Sequence, residues 1–206
     1  MFETDEDILR GLEEGNGDAL AALMTRYYKP LYQFGTHFTQ DRDIVTDCIQ
    51  DVFLNLWKNR ESAGSIQFLR QYLLTALKRR IIRVGSQSRR QVDIAGKVSR
   101  DYPFALEFSV EDLIVEKQLE EEKAGRLRQI LNQLPDRQKE VIYLVYYHQL
   151  DHGQVAALMN INRQSVYNLL SESIRKIKAF WQEASPVVLL AILLSAQTVA
   201  PNFTKS

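Results

Sequence analysis

Two helix-capping signals separated by a single short helix constrain this chain more than any other feature. Asp151 stands three residues before Gln154. That is capping-box spacing, and it opens a short helix carrying Val155, Ala156, Leu158 and Met159. Asn160-Ile161 reads as a turn, since Asn tolerates the left-handed conformation that helix C-termini often need. Ile161 is expected to plug the angle between helices. Asn162 then caps a second helix that starts at once. Upstream, Pro135 and Asp136 suit a first helical turn, one by its fixed φ and the other by its charge. That earlier helix carries Val141, Ile142, Leu144 and Val145 toward His148. Leu134 to Lys178 is therefore expected to be a helix-turn-helix.

The last helix of this stretch has two faces. At about 100° per residue, Val166, Leu169, Leu170 and Ile177 gather toward the preceding helices. Asn162, Arg163, Gln164, Tyr167, Asn168, Ser171, Arg175 and Lys178 remain outside. Arg, Gln and Asn at the start with Lys and Arg at the end suit the major groove of DNA. A helical hairpin with a solvated polar face would show the same periodicity. The succession of short helix, short turn and second cap favours the DNA-binding form.

Over 206 residues the formal net charge is zero, which at first argues against a nucleic-acid partner. The charges are sorted, however. Residues 3–18 are acidic with Arg10 alone opposed, 58–100 are strongly basic, and 107–122 are acidic again. With 45% hydrophobic residues and few candidate strands, an all-α chain of two small domains is expected. Cys48 is the only cysteine, which rules out an intramolecular disulfide or a cysteine-cluster metal site. The acidic start has no hydrophobic signal region, so a cytoplasmic location is expected. His148 and His152 have zinc-like spacing, but the break at Gln149–Asp151 separates them and no third ligand is evident. No P-loop, nucleophile elbow or metal cluster points to an enzyme or a cofactor.

Along the chain, Thr4 and Asp7 form a capping box for a first helix through Ile8, Leu9 and Leu12. After Gly15-Asn16-Gly17, a stripe of Leu20, Leu23, Met24, Tyr27, Leu31 and Phe34 predicts a buried helix face. Pro30 should kink that helix or begin a second one. The helix from Asp43 to Asn59 buries Val45, Cys48, Ile49, Val52 and Leu56. It presents Asp43, Asp47, Gln50, Leu54 and Lys58 opposite, with Asp51 at the margin. Leu54 among polar neighbours suits a protein-docking patch.

A polar loop, Arg60 to Ser65, leads to a helix from Ile66 to about Val84. Its expected buried stripe is Ile66, Leu69, Leu73, Ala76 and Leu77. The opposite face carries Phe68, Gln71, Tyr72, Thr75, Lys78, Arg79, Ile82 and Arg83. Aromatic rings interleaved with cations are what unstacked bases and phosphates require together. Periodicity lapses after Gly85, and returns at Ser109 with a capping-box partner in Asp112.

This order of elements resembles the bacterial sigma-70 family of transcription initiation factors, in its small extracytoplasmic-function group. Asp47-Cys48-Ile49-Gln50-Asp51-Val52-Phe53-Leu54 and Leu134-Pro135-Asp136-Arg137-Gln138-Lys139-Glu140-Val141 carry the likeness, with Val155-Ala156 through Ser165-Val166. The resemblance implies a region-two domain over 5–90, a linker over 91–109, and a region-four helix-turn-helix domain over 110–182. An apolar C-terminal helix over 183–206 would follow. It implies that Asp43, Asp47, Gln50, Asp51 and Leu54 dock on core RNA polymerase. Ser62, Ser65 and the Phe68-to-Arg83 face would hold the melted −10 element, and the helix from Asn162 would read −35. Promoter DNA and core polymerase are the implied partners, an anti-sigma factor a further one, and no small-molecule substrate is implied. Arg79 stands where relatives often have Asn, and Asn160 where they often have Gly. A stand-alone helix-turn-helix regulator binding duplex DNA as a dimer would explain the C-terminal domain equally well. It gives the Leu54 face and the aromatic-basic helix no purpose.

Pro186 to Ala200 is uncharged and mostly apolar, yet shorter than the roughly 20 residues a membrane span requires. It is expected to pack on protein and not to anchor the chain in a membrane. Truncation after Ser185 should raise apparent affinity for polymerase, or release an inhibitor if the tail's partner is a second protein, and leave the protein in the soluble fraction. Binding assays and cell fractionation of both lengths check this; full-length protein in the membrane, lost on truncation, would refute it.

Overall fold

The computed structural model describes residues 2–92, 104–107 and 121–181, and the described residues fold as helices in two units, Met1–Ala105 and Leu106–Ser206. Residues 182–206, and with them the apolar segment, lie outside the described residues, as do Ser109 and Asp112.

In the first unit, α1 (Asp5–Glu13) starts on the expected capping box: the Asp7 N–H donates to Thr4 Oγ1 and the Thr4 N–H to Asp7 Oδ2, each at 3.1 Å. Gly15 takes a positive φ of 74° to leave it. Next, α2 (Gly17–Gly35) runs unbroken through Pro30. An interior proline costs about 3 kcal/mol or more; burial of Tyr27, Leu31 and Phe34 on either side of it offsets that. Met24, expected inside, is exposed, and Leu20 only half-buried. Arg26 ties the chain's start to α2 by donating to the Phe2 and Glu3 carbonyls, both at 2.8 Å, and to Asp5 at 3.0 Å. The Tyr27 hydroxyl donates to the same carboxylate. Burial first, and Asp5 second, push that phenol well above its ordinary value.

Asp41 caps α3 (Arg42–Lys58), accepting from the Asp43 and Ile44 N–H groups. The predicted stripe is buried, and Phe53 joins it. The loop from Arg60 to Ser65 is a 3-10 turn packed against α1, with Ala63 fully buried. A Cβ at Gly64 would lie 2.6 Å from the Glu13 carboxylate, so a larger residue there would have to displace that exposed side chain.

The following helix, α4 (Leu69–Val92), begins later than the pattern suggested and continues past Gly85. Among its described side chains the buried apolar ones are Leu69, Leu73, Leu74, Leu77 and Ile81. Ile66 and Ala76, expected inside, are half-buried. Lys78 was expected on the open face and is instead 7% exposed, with its ammonium 5.6 Å from the centre of the Phe38 ring. A lysine stem adds apolar length, and the ring face receives the charge. Part of the expected linker is also structured. Phe104 packs on Phe38 and His37 at 5.3 and 5.6 Å, and the Ala105 N–H donates to the His37 carbonyl at 2.7 Å.

The second unit begins with α5 (Glu121–Asn132), burying Leu127, Ile130 and Leu131. Pro135 precedes α6 (Asp136–Ile142), which widens into a π turn over Tyr143–Tyr147. There Tyr143 and Tyr147 stack at 4.9 Å, and His148 stands edge-on to both. Then α7 (His152–Met159) opens on the Asp151–Gln154 capping box. Asn160 is left-handed (φ 54°, ψ 50°), and the Ile161 N–H donates back to the Ala156 carbonyl at 3.0 Å. That bond is the longer one of a Schellman motif. Asn162 Oδ1 accepts from the Ser165 N–H at 2.7 Å, and α8 (Arg163–Trp181) follows.

At Gly35 α2 lies close against α3, for a Cβ there would lie 2.7 Å from Val45 Cγ1. Both sites are buried. Gly35→Ala should therefore cost about 1–3 kcal/mol by overpacking, despite alanine's better helix propensity. A denaturant midpoint equal to or above that of the parent would contradict it.

Candidate nucleic-acid interfaces

Three surfaces carry the candidate residues, two on the first unit and one on the second. On α3, Asp43, Asp47, Gln50 and Leu54 are all exposed, and Leu54 at 52% is a large apolar side chain in open water. Asp51 is half-buried at the edge of this face and pairs with Arg80 of α4. Cys48, on the other side of α3, is buried, and burial raises its thiol above the ordinary value. It is therefore a packing residue and not a poised nucleophile.

The second surface is a groove of about 680 Å³ beside α4 and the end of the 3-10 turn. Ser65, Phe68, Gln71, Tyr72, Thr75, Arg79 and Arg83 line it, as the sequence pattern grouped them. Phe68 and Tyr72 present 44% and 39% of their surface. Three expected members are elsewhere, Ile82 among them, exposed but outside this lining. Lys78 points into the core, and Ser62 does not line the groove, its hydroxyl donating to the Asn59 carbonyl at 2.9 Å. Residues not singled out beforehand also line it: Val52 and Asn55 from α3, Ile66 and Gln67 before α4, and Ala76 and Arg80 within it. Only packing α3 against α4 brings these together. Two polar atoms in this lining, Thr75 Oγ1 and Arg80 Nε, are buried without a hydrogen-bond partner. Such groups cost free energy when left unsatisfied.

The third surface is the outer face of α8. Val166 and Ser173 are fully buried and Leu170 nearly so. Leu169 and Ile177 are half-buried. Asn162, Arg163, Gln164, Tyr167, Asn168, Ser171, Arg175 and Lys178 are all exposed. Gln164 donates to Asn168 Oδ1 at 3.0 Å, one turn away. Tyr167 meets the edge of His152, which opens α7, at 6.3 Å. The Arg163 guanidinium lies over Gly153, where a Cβ would sit 2.7 Å from its Nη2.

A buried link joins this helix to α6. Gln138, 4% exposed, donates through Nε2 to Glu172 Oε2 at 2.8 Å and accepts from Lys176 Nζ at 3.1 Å. Sequence reasoning missed it because Gln138 lies far upstream of its partners. Among the described residues no cluster of His, Cys, Asp or Glu could hold a metal ion. His148 is buried among tyrosines while His152 is exposed.

Comparison with known proteins adds an independent line. The family model described as Sigma-70 region 2 matches residues 23–91, and that described as Sigma-70, region 4 matches residues 124–177. The chain is 28% identical over 183 residues to an ECF RNA polymerase sigma factor, SigK, of Mycobacterium sp. (strain JLS), covering 85% of this chain and 90% of that protein. It is 23% identical over 188 residues to an RNA polymerase sigma factor, NccH, of Alcaligenes xylosoxydans xylosoxydans, covering 87% and 96%. Among solved structures, CnrH in complex with the cytosolic domain of CnrY has a TM-score of 0.52 at 18% identity, covering 88% of this chain and 99% of that one. The sigma factor RpoE in complex with the anti-sigma factor NepR, from Bartonella quintana, has a TM-score of 0.51 at 15% identity, covering 79% and 96%. These two structures share the fold.

Proposed function

The chain belongs to the extracytoplasmic-function group of the sigma-70 family of RNA polymerase sigma factors, and from that premise we propose how its surfaces divide the work. As a sigma factor it directs core RNA polymerase to promoters through helix-turn-helix recognition of DNA. It acts by binding and not by chemistry. Residues 5–90 form the region-two domain and 110–182 the region-four domain, joined by 91–109 and extended by 183–206. The α3 face with Asp43, Asp47, Gln50, Asp51 and Leu54 docks on core polymerase. The groove beside α4 holds unstacked bases of the −10 element, and α8 reads the −35 duplex.

The groove's lining is the observation that carries this assignment. Phe68 and Tyr72 offer ring faces, Arg79 and Arg83 offer cations, and Thr75 Oγ1 and Arg80 Nε lack partners. Stacking on an aromatic side chain contributes about 1–3 kcal/mol per base. That is comparable to the few kcal/mol needed to unstack a base. By analogy with RpoE, whose structure holds the anti-sigma factor NepR, an anti-sigma factor is a further partner. We place the protein in the cytoplasm, where polymerase acts. Among the described residues no helix is long and apolar enough to cross a membrane.

Asp47→Ala, Gln50→Ala and Leu54→Ala together should weaken association with core polymerase and leave the circular dichroism spectrum unchanged. Unaltered binding by the triple variant would remove the docking assignment. The two DNA surfaces should separate in a second experiment. Arg163→Ala or Gln164→Ala should cost about 1–3 kcal/mol of discrimination at −35 if the residue contacts a base through two hydrogen bonds. Tyr72→Ala or Arg79→Ala should instead reduce opening of a bound promoter, read by permanganate reactivity of unpaired thymines. Normal opening in both variants would show that the groove does not hold the strand.

A further inference from the structure

We infer that Glu172, held by Gln138, is a specificity-determining residue that selects a base bearing an exocyclic amine, cytosine foremost, at one position of the −35 duplex. The inference rests on α8 being the helix that enters the major groove.

Glu172 is the only acidic residue between Arg163 and Trp181, a helix otherwise furnished with Arg163, Arg175, Lys176 and Lys178. It is exposed, next to Ser171 and one turn beyond Asn168, at the rim of the reading face. A carboxylate there is repelled by phosphates and has no hydrogen to donate to them, so it adds nothing to sequence-independent binding. What it can do is accept a hydrogen bond from a base amine.

Its orientation is fixed from below. Lys176 can only donate, so it must face Gln138 Oε1, and the amide nitrogen is thereby turned toward Glu172. A buried side chain in a single orientation thus holds Glu172 Oε2, while Oε1 remains to accept from a ligand. In the major groove cytosine presents its N4 amine as a donor. Adenine's N6 amine sits beside the N7 acceptor, which repels a carboxylate. Cytosine is therefore preferred.

The test is selection by reconstituted holoenzyme from a duplex library randomised across the −35 region, scored base by base. The wild type should enrich cytosine at one position by roughly 5- to 150-fold over the other bases. Glu172→Ala should flatten that position. Glu172→Gln, an exposed substitution that can still accept from Gln138, should move it toward adenine, the base a glutamine reads. Gln138→Leu should blunt the same position and leave the others unchanged, an effect that a loss of stability alone would not produce. A Glu172→Gln profile identical to wild type at every position would overturn the inference. Gln164→Ala and Asn168→Ala in the same selection separate the two levels of argument. If they alter the profile while Glu172→Gln does not, only this inference fails. If none of them alters it, α8 is not the reading helix and both readings fall.

Discussion

The helix-turn-helix of the second unit depends on the left-handed conformation of Asn160. There the chain ends α7, and two residues later Asn162 caps α8. Such short spacing leaves no slack: the angle between the helices follows from one backbone conformation, one Schellman bond and two caps. Asparagine holds this conformation with less strain than most residues because its short polar side chain tolerates φ > 0. Everything exposed on α8 is exposed because that turn aims Val166 and Leu170 inward. The polar face is thus a consequence of the turn as much as of the helix's own pattern.

In the first unit the corresponding constraint is the packing of three long helices, α2, α3 and α4, at close range. Gly35 against Val45 lets α2 and α3 approach. With α3 seated, its outer face carries Leu54 into water and its inner edge contributes Val52 and Asn55 to the groove. One helix therefore serves two surfaces. The Asp51–Arg80 pair joins them, since Asp51 borders the α3 face and Arg80 lines the groove. At this exposure the pair adds little stability; its consequence is to hold the guanidinium at the groove wall.

Promoter recognition requires no bond making by the sigma factor. The lone thiol is buried, and one histidine is stacked among tyrosines. The groove beside α4 collects ring faces from Phe68 and Tyr72 and cations from Arg79 and Arg83, the groups that the proposed capture of an unstacked strand would use. The stand-alone dimeric regulator accounts for α8 and leaves that groove without a use.

The sequence by itself determined the helical class, the capping boxes at Thr4 and Asp151, the left-handed Asn160, and the polar face of α8. All of these are local. A cap is decided by residues three apart and an amphipathic face by residues within two turns, so a linear pattern contains the whole cause. The family likeness was legible for the same reason, resting on contiguous runs such as Asp47–Leu54. Tertiary structure decided the rest. Lys78 has the periodicity of the open face, yet Phe38, in the turn that follows α2, approaches and draws it in. Ile66 and Ala76 read as core, yet they line the groove, half-buried among the described residues. Pro30 reads as a kink or as the start of a second helix, and burial on either side keeps α2 one helix. Phe104 reads as linker until the end of α2 offers it two rings to pack on. The Gln138 link spans 34 residues to Glu172. In each case the deciding partner is distant in sequence, and the chain's own periodicity cannot report a neighbour that only folding supplies.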